Sequence, residues 1–151
     1  MKKWIFASFA VLACLAVSAA EKSVTWQDNY AAVRKEAAEK KIPILMVFSG
    51  SDWCPPCMKL HETVFSQPEF AAFAAKGKVV LFFADLPRRK KISSQVLAQN
   101  RQLMQTYGIR GVPTVLLTDA SGKVFARTGY RPGGAKKYVE HLETLLKKAP
   151  K

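Results

Sequence analysis

At 151 residues and 49% hydrophobic content, the chain holds enough apolar material for one ordinary core and has no room for a second domain. Its 24 Lys and Arg outnumber 11 Asp and Glu, and the formal net charge of +13 favours acidic partners or an anionic surface. The bases are scattered along the chain, so nucleic-acid binding is not expected.

The first twenty residues differ in kind from the rest. Met1-Lys2-Lys3 carries the charge, Trp4 to Val17 is almost entirely apolar, and the small residues Ser18, Ala19 and Ala20 precede the first acid, Glu21. This reads as a secretory signal peptide over residues 1–20, cleaved near Ala19 or Ala20, which leaves a domain over residues 21–151. The apolar stretch of about 14 residues is shorter than the roughly 20 that a bilayer span needs. A second possibility stays open: Val11-Leu12-Ala13-Cys14 loosely resembles the lipobox of bacterial lipoproteins, which would leave the exported protein anchored through a lipid on Cys14.

Asp28 or Asn29 can cap a helix whose apolar positions Tyr30, Val33 and Ala37 recur at helical spacing, with Lys40 and Lys41 suited to its C-terminus. After Pro43, Ile44 to Phe48 is an unbroken apolar run, the pattern of a strand covered on both faces. Ser49 to Asp52 forms the loop that leaves it. A helix is expected from Cys54 to about Phe65, burying Leu60, Val64 and part of Met58. Ser66 with Glu69 then reads as a capping box for a second helical piece carrying Phe70 and Phe73. Val79 to Phe83 is a second buried strand, followed by the basic loop Leu86-Pro87-Arg88-Arg89-Lys90-Lys91. The remaining elements are a helix from about Ser94 to Tyr107, a hairpin of Thr114–Leu117 with Val124–Ala126 around Asp119 to Gly122, and a last helix from about Ala135 to Lys148. Alternating helices and buried strands imply an α/β layer structure whose first two strands are parallel neighbours, with an antiparallel edge from the hairpin.

The chemistry is concentrated in Trp53-Cys54-Pro55-Pro56-Cys57, at the strand-to-helix junction. With Cys14 removed, Cys54 and Cys57 are the only thiols left, too few for a disulfide framework. His61 and His141 stand far apart in sequence, so a closed four-ligand zinc site is not expected. Haem attachment would need histidine directly after the second cysteine, where Met58 stands. No cofactor is expected beyond a redox-active disulfide between Cys54 and Cys57. A cysteine at a helix N-terminus meets unpaired N–H groups and the positive end of the dipole, which stabilises its thiolate. Cys54 is therefore the expected nucleophile, and Cys57, one turn on, the resolving thiol. Pro55 and Pro56 lack N–H groups, so two donors that could have steadied the Cys54 thiolate are missing. A less stabilised thiolate makes the disulfide harder to reduce and favours a reductant over an oxidant. Trp53 is expected as a partly exposed ring flanking the substrate groove.

At these residues the chain resembles the thioredoxin superfamily, specifically its exported bacterial thioredoxin-like members, over roughly Trp26 to Lys148. Further matches are the preceding apolar strand with Gly50-Ser51-Asp52, the Val79 to Asp85 strand, Tyr107-Gly108-Ile109-Arg110-Gly111-Val112-Pro113-Thr114, and Gly129 before the final helix. The resemblance implies a thioredoxin-like fold, a central mixed sheet flanked by helices. It also implies a cis Val112–Pro113 peptide against the cysteine pair, with Val112 backbone groups binding substrate as an added strand. Thioredoxins place a buried acid before the motif as proton acceptor for the resolving cysteine. The matching position here is Phe48, and Leu81 replaces its partner lysine. His61, four residues beyond Cys57 on the same helical face, and Glu62 are possible accessory groups. Asp52 could perturb Cys54 as a nearby negative charge.

These features together lead us to expect an exported or periplasmic thiol:disulfide oxidoreductase that reduces or isomerises protein disulfides. The resemblance implies a membrane thiol-electron donor for its re-reduction, and a monomer is expected. A dithiol oxidase, and a binding or chaperone module using the groove near Val112 without redox turnover, are the rival readings.

Overall fold

Every residue of β1 (Ile44–Ser49) is buried, as the unbroken apolar run predicts. The computed structural model describes residues 24–150, so the signal-peptide and Cys14 readings lie outside the described residues. β1 sits between β2 (Val80–Asp85) and β3 (Thr114–Thr118), with β4 (Val124–Thr128) beyond β3, giving the sheet order β2-β1-β3-β4. β1 and β2 are parallel, with Ile44 opposite Val80 and Ser49 opposite Asp85, while β3 runs antiparallel to both β1 and β4. The expected mixed sheet with an antiparallel hairpin is thus present.

Alternation along the strands divides the interior into two layers. On one face Leu45, Val47, Leu81, Val115 and Leu117 meet Leu60, Val64, Phe70, Phe73, Tyr138 and Leu142. On the other, Ile44, Met46, Phe48, Phe82 and Leu116 meet Val33, Ala37 and Leu103. Phe48 and Leu81, the two positions where the resemblance places an acid and a lysine, are both apolar and fall in different layers.

Helix boundaries follow local chemistry. α1 (Tyr30–Lys40) is capped by Asn29 rather than Asp28: its Oδ1 accepts from the Ala32 N–H at 3.1 Å. α2 (Pro55–Leu60) is shorter than expected, because the chain widens into a π-helical turn over His61–Phe65, closed by Ser66 N–H on the His61 carbonyl at 2.9 Å. That closure takes Ser66 away from the expected capping box. α3 (Pro68–Ala75) starts one residue later, with Gln67 as its cap, no side-chain capping bond, and Pro68 in its first turn, where a missing N–H costs nothing. β2 runs to Asp85, past the apolar run that ends at Phe83 and as far as the strand the resemblance gives. α4 (Ser94–Thr106) is capped by Ser93, and α5 (Gly134–Leu146) buries Ala135, Tyr138, Leu142 and Leu145. The free edge of β2 is covered by Gln27, which donates to the Leu81 carbonyl at 3.1 Å and accepts from the Phe83 N–H at 2.8 Å. No helix among the described residues is long and apolar enough to cross a membrane.

An aromatic cluster holds the π-helical turn against the sheet. Trp26 stacks on Phe70 at 5.8 Å between ring centroids and meets Phe65 and Phe83 edge-on at 5.1 and 5.5 Å. Phe70 is fully buried at the centre of this group. Phe70→Ala is expected to lower the stability by about 3 to 5 kcal/mol, read from the urea midpoint at constant slope.

Candidate active site

The parallel strands β1 and β2 end side by side, and the loop leaving β1 must rise out of the sheet there. It does so through a tight turn in which the Trp53 and Cys54 N–H groups donate to the Gly50 carbonyl at 3.2 and 3.0 Å. The turn lays the Trp53 indole directly over Gly50: a Cβ there would sit 2.4 Å from the ring, so only glycine fits. The ring is fixed at two further points. Its Nε1 donates to the Leu86 carbonyl at 2.7 Å, and the Arg88 guanidinium lies 3.9 Å from the ring centroid. Trp53 is half-buried, and these contacts hold it against the loop after β2.

Cys54 caps α2 and is joined to Cys57 as a disulfide. Both residues are 3% exposed. The Cys57 N–H donates to Cys54 Sγ at 3.3 Å, and the Gly50 N–H donates to Cys57 Sγ at 3.5 Å. Pro56 occupies the other helix position whose N–H could have faced a capping side chain, so Cys57 supplies the one helix N–H bonded to Cys54 Sγ. Across from the pair, the Val112–Pro113 peptide is cis and the Val112 carbonyl oxygen lies 3.5 Å from Cys54 Sγ. Residues 58 positions apart are thus brought together at one sulfur.

Asp52 points its carboxylate at the loop after β2. The N–H groups of Arg88, Arg89 and Lys90 donate to it at 2.9, 2.7 and 2.6 Å. Those bonds, Arg88 foremost, pull its pKa down from 3.8 to about 2, so it is a carboxylate at any ordinary pH. Its charge is compensated by these donors and serves to pin the loop.

A cavity of about 590 Å³ opens on the other side of the disulfide, where α2 approaches α4. Cys57, His61 and Met58 line it from the helix, with Asp85, Asn100 and Trp26 from the sheet end, the α4 helix and the edge segment. Met58, expected to be partly buried, is 44% exposed at its mouth. His61 therefore shares this space with Cys57. Glu62 does not line it; it is exposed and pairs with Lys59 at 3.6 Å. Sequence reasoning overlooked Asp85, which is 8% exposed and accepts from the Ser51 N–H and hydroxyl at 3.0 and 2.6 Å. Its backbone carbonyl accepts from buried Asn100 at 2.8 Å. The available signal was an acid ending a wholly apolar strand. Among the described residues no three His, Cys, Asp or Glu side chains gather in a metal-binding group.

A mixed sheet with a disulfide at the N-terminus of the helix after its central strand, facing a cis-proline loop, defines a thioredoxin-like redox protein. Residues 30–145 match the model of the thioredoxin-like domain, and the chain belongs to that family. It is 30% identical over 128 residues to the disulfide bond reductase DsbH of Chlamydia pneumoniae, covering 85% of this chain and 76% of that protein. It is 25% identical over 123 residues to the thiol:disulfide interchange protein DsbD of Photorhabdus laumondii, where 80% of this chain spans only 20% of the relative. A solved structure of a DsbH oxidoreductase superposes with a TM-score of 0.78 at 28% identity, covering 93% of this chain and 95% of that one. The protein is homologous to bacterial thiol:disulfide oxidoreductases.

The folded pKa of Asp52 lies below its unfolded value, so its contribution to loop order is complete above pH 3.8 and is lost as pH falls through about 2. The amide proton shifts of Arg88, Arg89 and Lys90 should titrate together with a midpoint near pH 2. A common midpoint near 3.8 would show that the three bonds do not form in solution.

Proposed function

We propose that the protein is an exported reductant of protein disulfides, with Cys54 as nucleophile and Cys57 as resolving thiol. The observation that carries this reading is the pairing of a disulfide at a helix N-terminus with a cap that bonds Cys54 Sγ to one helix N–H alone. In the reduced enzyme the Cys54 thiolate attacks one sulfur of a substrate disulfide and expels the other as a thiolate. The Cys57 thiolate then attacks Cys54 Sγ. This forms the Cys54–Cys57 disulfide and releases the substrate's second thiol, so two electrons pass to the substrate and the enzyme is left oxidised. Substrate lies as an extended segment along Val112 and Pro113 with Trp53 at its flank, in keeping with the 3.5 Å approach of the Val112 carbonyl to Cys54 Sγ. Each cycle ends oxidised, so an external dithiol must reload the pair. A membrane thiol-electron donor fits an exported protein, and the similarity to a disulfide bond reductase supports the reducing direction of the cycle.

The reduction potential of the Cys54–Cys57 couple, set against glutathione and dithiothreitol buffers, is expected well below the roughly −180 mV of an oxidising folding compartment. A value above that compartment's would replace the reductase with an oxidase. With a peptide disulfide as substrate, Cys54→Ser should abolish turnover, whereas Cys57→Ser should accumulate a mixed disulfide visible as a mass adduct.

The diproline makes a separate prediction. Pro56→Ala returns an N–H to the second helical position, facing Cys54 Sγ. One hydrogen bond to the thiolate, worth about 1.5 kcal/mol, should raise the potential by about 30 mV and make the variant a weaker reductant. An unchanged potential would mean that missing N–H groups do not set the redox character.

A further inference from the structure

We propose that the loop of residues 87–91 recognises carboxylates carried beside the disulfide of the substrate, so that the site selects acidic polypeptides. This rests on the reductase reading and names the substrate class of the same site.

Arg88, Arg89, Lys90 and Lys91 are four consecutive exposed bases. None of them forms an ion pair among the described residues, where the pairs found are Lys35–Glu39, Lys40–Glu36, Lys59–Glu62 and Lys76–Glu143. A run of unpaired like charge normally repels itself into a mobile loop. Here three successive N–H groups are fixed on the Asp52 carboxylate at 2.6 to 2.9 Å, and Arg88 is laid on the Trp53 ring. Asp52 and Trp53 are the two residues directly before Cys54. The turn that presents the nucleophile therefore also holds the cationic loop in place. Asp52 offsets one of the four charges, leaving a net three positive charges beside the disulfide.

Of the other acids at this end, Asp85 is buried and bonded to Ser51 and Glu62 pairs with Lys59, so exposed Asp28, on the same cavity lining as Lys90, is the one that opposes them. Exposed Arg110 stands two residues before Val112, whose carbonyl meets Cys54 Sγ, and adds charge of the same sign. A chain laid along Val112 so that its disulfide meets Cys54 would pass close to the cationic rims these bases form. Carboxylates within a few residues of its cysteines would be attracted, and lysines there repelled. A lipid surface fits less well, because a membrane pressed on these rims would cover the sulfur that substrate must reach.

The test uses three disulfide-bonded peptides of one sequence, with three Asp, three Asn or three Lys beside one cysteine. Oxidation of the reduced protein is followed for each, and rates are expressed relative to that on neutral 2-hydroxyethyl disulfide. The acidic peptide is expected to show a kcat/KM about tenfold above the Asn peptide at low salt, carried by KM, and to lose that advantage at about 1 M salt, where screening reaches 3 Å. Arg89→Glu with Lys91→Glu should invert the order of the Asp and Lys peptides. Equal KM values for the Asp and Asn peptides, or a preference that survives the charge reversal, would overturn the proposal. So would a charge-reversed protein that loses binding to phosphatidylglycerol vesicles while its peptide order stays the same, since the loop would then serve a membrane. Failure on 2-hydroxyethyl disulfide itself would instead count against the reductase reading.

Discussion

The fold and its chemistry depend on the burial of β1 on both faces and along both edges. A strand with no solvent-facing side and a neighbour on each edge has one way out, through its ends. Because β2 runs parallel to it, both strands finish at the same end of the sheet, with Ser49 beside Asp85. The turn after Ser49 must therefore rise next to the turn after Asp85, and backbone groups from both strand ends need partners there. Asp52, Ser51 and Trp53 meet that need by bonding to the loop or strand end opposite. The position of Cys54 follows from those bonds, since it is the next residue.

This arrangement ties the environment of the nucleophile to charge elsewhere on the surface. The Asp52 carboxylate lies close in sequence to Cys54, yet its hydrogen-bonding capacity is spent on the 88–90 backbone. What the nucleophile's flank presents to an incoming chain is therefore cationic. On its own helix, the diproline withholds an N–H from the sulfur, and His61, whose N–H makes the ordinary helical bond to the Cys57 carbonyl, lines the cavity shared with Cys57.

Much of this was legible before any coordinates. The run Ile44 to Phe48 announces a two-sided strand because nothing in it tolerates water, and CxxC after such a strand announces the redox pair. The hairpin, the parallel strands and the helix around Cys54 follow from the same reading. Boundaries and the second layer of the site were less accessible. Ser66 and Glu69 match a capping box, but the pattern carries no information about a π-helical turn upstream that uses Ser66 for its own closure. Asp85 passed unnoticed because a strand-ending acid looks like any polar stop. Its role is visible only when Ser51, 34 residues away, is found bonded to it. The resemblance places an acid at Phe48 and its partner lysine at Leu81, but the sheet register puts these two side chains in different layers, where they do not face one another.

The sequence by itself determined the class of chemistry, since two cysteines three apart at a strand-to-helix junction can trade a disulfide for two thiols whatever surrounds them. It also determined which donors are missing, because proline has no N–H in any fold. Only the tertiary structure decided which way charge faces. Asp52 and Arg88 to Lys90 are more than thirty residues apart, and pattern along the chain is silent on whether such groups oppose, ignore or hold one another. That they meet, and that Val112 meets Cys54 across the same gap, follows from strand pairing at one end of a buried sheet.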